Sequence, residues 1–140
     1  MKPQIYALIA AAAWGVGGYF EKRGLLLGGL TPHIGITLRT GVALVLLAAI
    51  SARHWRTVID AGTKPLLHVL IGGGLVAGTI GMLAFYAALK AGSVTQVMPI
   101  AFTSPLFSVA LALILGGEPL QARTLVGAAL TVGGIALLSS

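Results

Sequence analysis

One arginine stands inside an otherwise apolar run of the sequence. Arg39 lies in TLRTGVALVLLAAI, from Thr37 to Ile50, and a guanidinium keeps its proton in proteins. Placing this charge near the middle of a bilayer costs at least ~2.5–3.5 kcal/mol. Three interpretations would offset that cost: an ion pair or carbonyl clamp that holds neighbouring helices, a side chain that reaches the membrane interface, or contact with an anionic substrate group such as a carboxylate.

Glu21 is a sterically reasonable partner for Arg39. It ends the first apolar segment on the same predicted side of the membrane, and Arg39 lies ~9 Å in from His33 at 1.5 Å per residue. The other two acids, Asp60 and Glu118, fall in predicted connectors, where Glu118 suits a structural capping or interhelical role. No carboxylate lies in mid-membrane, where desolvation would raise its pKa. Proton coupling through such a group is therefore unsupported, and Glu21 is the one candidate.

Aromatic and polar residues elsewhere are candidates for a substrate cavity. Trp14 and Tyr86 could stack on a substrate cation or ring, or they could simply pack or anchor at the interface. In the fourth apolar segment, polar residues fall within roughly 140° of one another around a helix, which suits a cavity lining or hydrogen bonds between helices. These residues are Gln96, Thr103, Ser104 and Ser108. The predicted cavity lining is Trp14, Arg39, Tyr86, Gln96, Thr103 and Ser104.

Prolines and glycines indicate where the helices break or approach one another. Pro99 and Pro105 each remove a backbone hydrogen bond from the fourth segment, and the freed carbonyls need partners or a wet cavity. Gly74 and Gly78 form a GxxxG step in the third segment, which suits close helix packing, although ordinary glycine enrichment in membrane helices explains it equally well. We expect these residues to act as moving or packing parts.

Several kinds of site are not supported by the sequence. There is no cysteine, and three histidines are scattered without the spacing of metal ligands. No serine in the apolar segments has a nearby histidine and acid, so an enzyme is not predicted. The net charge of +6 arises in short connectors, which favours anionic lipid headgroups over nucleic acid. We predict no cofactor and no metal.

The elements that position these residues are predicted to cross a lipid bilayer. The chain is 57% hydrophobic and 9% charged, whereas soluble domains carry about 25% charged residues. Apolar segments recur at lengths near the ~20 residues that cross the hydrocarbon, and none alternates as a barrel strand does. The first could instead resemble a signal peptide, but EKR and the Gly17–Gly18 pair favour a working helix. We predict an all-α membrane protein of one domain, 1–140, with helices at about 4–21, 33–51, 65–89, 94–116 and 123–139.

An odd number of spans has a consequence for assembly. Five basic residues lie outside the helices on the N-terminal side and three on the other, so the preference for a cytoplasmic N-terminus is weak. The chain could insert in both orientations or in a single orientation, and both alternatives stay open. Many transporters consist of two inverted repeats with the substrate between them, and a five-helix repeat inverts naturally. We therefore expect a ten-helix antiparallel homodimer, or pairing with a paralogue.

The sequence also resembles a known family. AFTSPLFSVALALILGGEPLQARTLVGAALTVGGIALLSS is similar to the C-terminal part of an EamA-like domain of the drug/metabolite transporter superfamily. Trp14–Gly15, GLTPHIGITLRTGVALVLL and FYAALKAGSVTQVMPI resemble its earlier parts in the same order, so the resemblance covers nearly the whole chain. Each motif is loose, and the order and spacing together carry the identification.

The resemblance implies a five-helix repeat that usually occurs twice per chain, in exporters of amino acids, nucleobases or drugs. The present sequence has one copy and is closer to stand-alone members that pair antiparallel. Glu21 lies too far along helix 1 to match the central glutamate of the four-helix small multidrug resistance proteins. We therefore expect a secondary transporter of small metabolites in the inner membrane, working by alternating access. A non-transporting membrane subunit, or a flippase for lipids or lipid-linked sugars, remains the alternative.

Overall fold

The computed structural model describes residues 2–115 and 121–139, and in these ranges it consists of helices joined by short turns, without strands. The predicted all-α class is confirmed. The helices are α1 (Pro3–Leu27), α2 (Pro32–Ser51), a 3₁₀ turn (Ala52–His54), α3 (Arg56–Asp60), α4 (Thr63–Leu67), a π-wound segment (His68–Gly81), α5 (Met82–Ala91), α6 (Val94–Ala101), α7 (Ser104–Leu115) and α8 (Ala122–Ser139). Glu118 lies outside the described residues, so its predicted capping role has no structural counterpart here.

A tight glycine turn folds α2 back along α1. Gly29 has a φ of +59°, which glycine adopts without steric cost. The amide of Leu30 donates to the carbonyl of Leu25 at 3.0 Å, and the amide of Gly29 donates to the carbonyl of Leu26 at 3.4 Å. This pair of bonds is a Schellman motif, and its usual apolar contact is present because Leu30 packs against the cluster that contains Leu25. Pro32 then opens α2, where its missing N–H costs no helical hydrogen bond.

The third long helical stretch runs without a break from α4 to α5 through the π-wound segment. Wider winding here agrees with the hydroxyl of Thr79, which donates five residues back to the carbonyl of Gly74 at 3.0 Å. A Cβ on Gly78 would meet only its own helix, 2.9 Å from the carbonyl oxygen of Gly73, and a Cβ on Gly74 would meet nothing within 4 Å. The GxxxG step therefore faces open space in this chain, and a packing role for Gly74 and Gly78 stays a prediction.

Within the helix predicted at 94–116, the described residues form two helices, α6 and α7, because the chain leaves the helical path at Phe102 and Thr103. Pro105 has no N–H to donate to the carbonyl of Ala101, and its ring disfavours a helical path for the preceding turn, which is where the interruption lies. The hydroxyl of Thr103 donates to the carbonyl of Ile100 at 2.8 Å and satisfies a backbone group near the break. Pro99, in contrast, lies inside α6, which continues past it.

Three helical stretches in the described ranges are long and apolar enough to cross a membrane. They are Pro32–His54, Thr63–Ala91 and Val94–Leu115, while the apolar part of α8, Ala122–Leu137, is shorter. Helix α1 is long, at 25 residues, but its last third carries three consecutive charged side chains, Glu21, Lys22 and Arg23. A membrane-spanning fold is therefore supported, and the count of five spans remains a prediction.

The described residues form two compact units, one up to Ala91 and one from Gly92 onward. In the first, α1, α2 and α5 contact one another around Leu25, Ile36 and Tyr86, with Leu30, Met82 and Phe85 against them. In the second, α6 contacts α8. Most large apolar side chains elsewhere are exposed, which is the pattern expected when the surrounding solvent is lipid.

Candidate functional site

The charged centre of the first unit is an ion pair between α1 and α2. Arg39 Nε lies 2.8 Å from Glu21 Oε1. The side chain of Glu21 is 18% exposed, whereas that of Arg39 is 42% exposed. The contact links the last turns of α1 to the second turn of α2. It offsets part of the free-energy cost of placing a guanidinium within an apolar helix.

Tyr86 of α5 adds a second partner for Glu21. Its hydroxyl forms a side-chain hydrogen bond with the Glu21 carboxylate, so the phenol donates to a carboxylate oxygen. Only 2% of Tyr86 is exposed, and its ring packs against Leu25 and Ile36. Three helices therefore converge on one carboxylate.

Helical spacing explains why these side chains meet. On α1, Gly18, Glu21 and Leu25 lie at i, i+3 and i+7, and on α5, Met82, Tyr86 and Leu89 lie at i, i+4 and i+7. Each set faces the three-helix contact, where Gly18, Leu25, Tyr86 and Leu89 are buried.

Gly35 of α2 allows the three helices to approach closely. It lies one turn before Arg39 on the same face of α2. A Cβ added at Gly35 would lie 2.8 Å from Leu25 Cδ2 and 2.9 Å from Tyr86 Cε1. Any larger residue at this position would therefore push the rings and chains of the site apart.

A cleft of about 270 Å³ opens beside the ion pair. Glu21, Arg39 and Tyr86 form its polar part, and glycines at positions 24 and 35 leave room for it. The rest of its lining is apolar: Phe20, Leu25, Leu30 and Leu38. The cleft can hold a small molecule that is mostly apolar and carries one polar or charged group.

A further contact holds the same end of the unit together. Lys90 Nζ donates to the carbonyl oxygen of Leu30 at 2.8 Å, across 60 residues of sequence. Leu30 lies in the turn between α1 and α2, so the contact fastens the end of α5 to that turn. The cleft therefore lies where α1 ends, α2 begins and α5 ends, which places it toward one end of the helices.

The predicted cavity residues are not all brought together. The structure gathers Arg39, Tyr86 and Glu21 in the cleft, while Trp14 lies on α1 two turns earlier, is 58% exposed and does not line it. Gln96 takes part in the cap of α6, where its backbone N–H donates to Ser93 Oγ at 3.3 Å and its side-chain Oε1 accepts from that hydroxyl at 3.1 Å. Its role in a cavity stays a prediction.

Thr103 and Ser104 lie at the break between α6 and α7. The Thr103 hydroxyl donates to the carbonyl of Ile100, and the Ser104 carbonyl accepts from the hydroxyl of Ser108 at 3.3 Å. These bonds run along the chain's own helices, whereas the sequence suggested a cavity or a neighbouring helix as the partner. Thr103, Ser104 and Gln96 belong to the second unit of the chain.

Sequence reasoning overlooked several residues of the cleft. Gly35, Leu25 and Leu38 were not singled out, and neither was Lys90 as a link to the first turn. A signal was present for Gly35, because a glycine four residues before an intramembrane arginine leaves space on the face that the arginine uses. Among the described residues, no three side chains of metal-ligating type lie together.

Comparison with known proteins shows the family of this chain. The profile of the EamA-like transporter family matches residues 1–140 of the sequence. The chain belongs to the EamA-like transporter family. It is thus a member of the drug/metabolite transporter superfamily, as its motifs suggest, and the family's members are membrane transporters.

A relative of similar length accompanies this match. The EamA-like chain is 30% identical over 135 residues to an uncharacterized protein of Methanocaldococcus jannaschii, covering 96% of this chain and 94% of that protein. No solved structure matches the chain. The family match supports a transporter and a non-enzymatic role at a membrane, and leaves the solute to be inferred from the cleft.

Proposed function

We propose that the protein is a secondary transporter that exports small polar or amphipathic metabolites across the cell membrane by alternating access, as a dimer of two oppositely inserted copies. The family match over residues 1–140 carries this proposal. The cleft supports it, because an ion pair beside an open space within an apolar helical unit is the arrangement that a solute pathway needs.

Two observations and one prediction support the antiparallel pairing. The charge bias across the membrane is weak, at five basic residues against three. The predicted span count is odd, so a second copy continues the repeat only when it is inverted. The archaeal relative is matched over 94% of its own length, so a protein of about this size exists there as well.

Within this dimer, the cleft of each copy would open toward a different side of the membrane. Arg39 and Tyr86 would contact the solute, together with Trp14, Gln96, Thr103 and Ser104 as the protomers rearrange. The break between α6 and α7, with Pro99 and Pro105 on either side of it, and the glycines of the π-wound segment would allow the helices to tilt. The inner membrane is the expected location.

Fusion reporters test the dimer. A C-terminal reporter active only in the cytoplasm and another active only outside are each fused to the full chain. We expect both to give signal, because the chain would insert both ways. Signal from one reporter alone would remove the antiparallel homodimer.

Transport is tested separately in proteoliposomes. Purified protein is reconstituted, and uptake of labelled amino acids and nucleobases is followed by counterflow. We expect Arg39→Ala to impair transport. Arg39→Lys should restore it poorly, because lysine lacks the planar guanidinium that binds two oxygens at once. A protein that moves no solute but co-purifies with a larger membrane partner would replace the transporter by a membrane subunit.

A further inference from the structure

The two charges of the cleft differ in how they are engaged. Glu21 accepts from Arg39 Nε and from the Tyr86 hydroxyl, and it is 18% exposed. Arg39 is 42% exposed, although it lies in the same cleft. Of the two charged side chains, the one with more exposed surface is therefore the positive one.

The geometry of the ion pair leaves one edge of the guanidinium for a second anion. The contact with Glu21 is made through Nε, on the side edge of the group. The terminal edge, formed by Nη1 and Nη2, presents two parallel N–H donors that match the two oxygens of a carboxylate. Glu21 thus fixes the position of Arg39 through the side edge of its guanidinium.

The rest of the lining limits what the anion can be attached to. Phe20, Leu30 and Leu38 supply apolar surface beside the guanidinium, and the space is about 270 Å³. That is slightly below the usual range for drug-sized ligands, about 300–1,000 Å³, so a compact solute fits best. A strongly hydrated anion such as inorganic phosphate would lose its water against this lining without enough donors to replace it.

We propose that the cleft binds small amphipathic monocarboxylates, with the carboxylate on the Nη1–Nη2 edge of Arg39 and the apolar part against Phe20, Leu30 and Leu38. The inference rests on the proposed function, since it names the class of solute that the transporter takes. Glu21 is a positioning residue, because it acts on the ligand through Arg39. Tyr86 holds Glu21 in turn.

Equilibrium binding to the full chain in lipid nanodiscs tests this inference without any transport step. The probe is radiolabelled phenylacetate, compared with the neutral phenylacetamide and the cationic phenethylamine, which share its ring. We expect saturable binding of phenylacetate and at least about tenfold weaker binding of the amide, because a charge-assisted bidentate contact is lost. Equal binding of acid and amide, or preference for the amine, would overturn the proposal.

Variants assign the binding to Arg39. Arg39→Ala should lose at least about tenfold in phenylacetate affinity, and Arg39→Lys should recover only part of it because an ammonium cannot bind both oxygens in a fork. The matched control is Arg23→Ala, which removes an exposed arginine whose Nη1 donates to the Tyr19 hydroxyl outside the cleft. Loss of binding in the control to the same extent would show that overall charge, and not the cleft, attracts the anion.

Two substitutions of Glu21 separate positioning from folding. Glu21→Gln keeps an oxygen for Arg39 Nε and removes a negative charge, so phenylacetate affinity should be retained or increased. Glu21→Ala removes the anchor, and affinity should fall although the protein still elutes as a single species from a sizing column. If Glu21→Gln lost binding as completely as Glu21→Ala, Glu21 would not act by holding Arg39.

The outcome is distinct from that of the transport assay. Arg39-dependent binding of phenylacetate without movement across liposomes would keep this site and remove the transporter. Movement of a neutral or cationic solute without binding of phenylacetate would keep the transporter and remove this site.

Discussion

At the scale of single residues, the site depends on how little space surrounds Gly35. The distances from a built Cβ to Leu25 and Tyr86 are both below 3.0 Å, and neither neighbour is at the free end of an exposed chain, because both side chains are 2% exposed. Because Gly35 has no side chain, the ring of Tyr86 can pack against α2 at this point. In that position its hydroxyl reaches Glu21 of α1. The chemistry of the ion pair therefore rests on an uncharged neighbour.

Gly35→Ala is expected to destabilise the protein. Overpacking of this kind costs about 1–3 kcal/mol, because Tyr86 or the backbone must shift. The measurement is the midpoint of thermal unfolding in detergent, followed by loss of the monodisperse peak on a sizing column. Gly41→Ala is the matched control on the same helix, since a Cβ there meets nothing within 4 Å, and it should leave the midpoint unchanged or raise it. Equal midpoints for the two variants would contradict the close approach of the helices.

At the scale of elements, the sequence predicted helices better than it predicted their interruptions. Apolar length and proline positions indicate that a helix exists and that it is strained, but two prolines six residues apart do not show which of them ends it. The structure breaks the helix before Pro105 and continues α6 through Pro99. The π winding at His68–Gly81 had no sequence signal beyond glycine enrichment, since widened turns depend on backbone hydrogen bonding that composition does not encode.

Pro105→Ala is expected to straighten the pair α6 and α7. The new N–H can donate to the carbonyl of Ala101, so one helix from Val94 to Leu115 becomes favourable. Spin labels at Thr95 and Ile114 should then give a narrower distance distribution by pulsed electron paramagnetic resonance. Pro99→Ala is the control, because α6 is already continuous at Pro99. This variant should change the distribution of spin-label distances less. A distribution unchanged by Pro105→Ala would mean that the break has another cause.

At the scale of the whole molecule, the all-helical class and the family could be predicted from the sequence. Composition indicated lipid as the solvent, and the order of loose motifs indicated the family over the whole chain. The Glu21–Arg39 contact could be suggested because both residues fall on the same predicted side, but Tyr86 could not be assigned to it. The contact between Tyr86 and Glu21 joins positions 65 residues apart, and one sequence contains no information on which faces of distant helices meet.

Orientation is expected to be a property that a few charges control. Thr57→Lys with Thr63→Lys strengthens the basic bias of the N-terminal side. Arg53→Gln, Arg56→Gln and Lys64→Gln, together with Leu27→Lys and Thr31→Lys, reverse the bias by a wider margin than the natural one. If opposite copies are required, each variant alone should lose transport and co-expression of the two should restore it. The measurement is counterflow in proteoliposomes made from cells with one variant or both. Full transport by either variant alone would show that parallel copies suffice.

The contacts that hold the first unit together are concentrated at one end of its helices, and this has a mechanical consequence. The ion pair, the Lys90 contact and the buried side chains Leu25, Ile36, Tyr86 and Leu89 all lie near the end where α1 meets α2. From Glu21 back to Pro3, α1 extends ~27 Å, so a rotation of ~10° about that end displaces its beginning by ~5 Å. Small changes around Arg39 are therefore amplified into the largest movements at the opposite ends of the helices, as at the long arm of a lever.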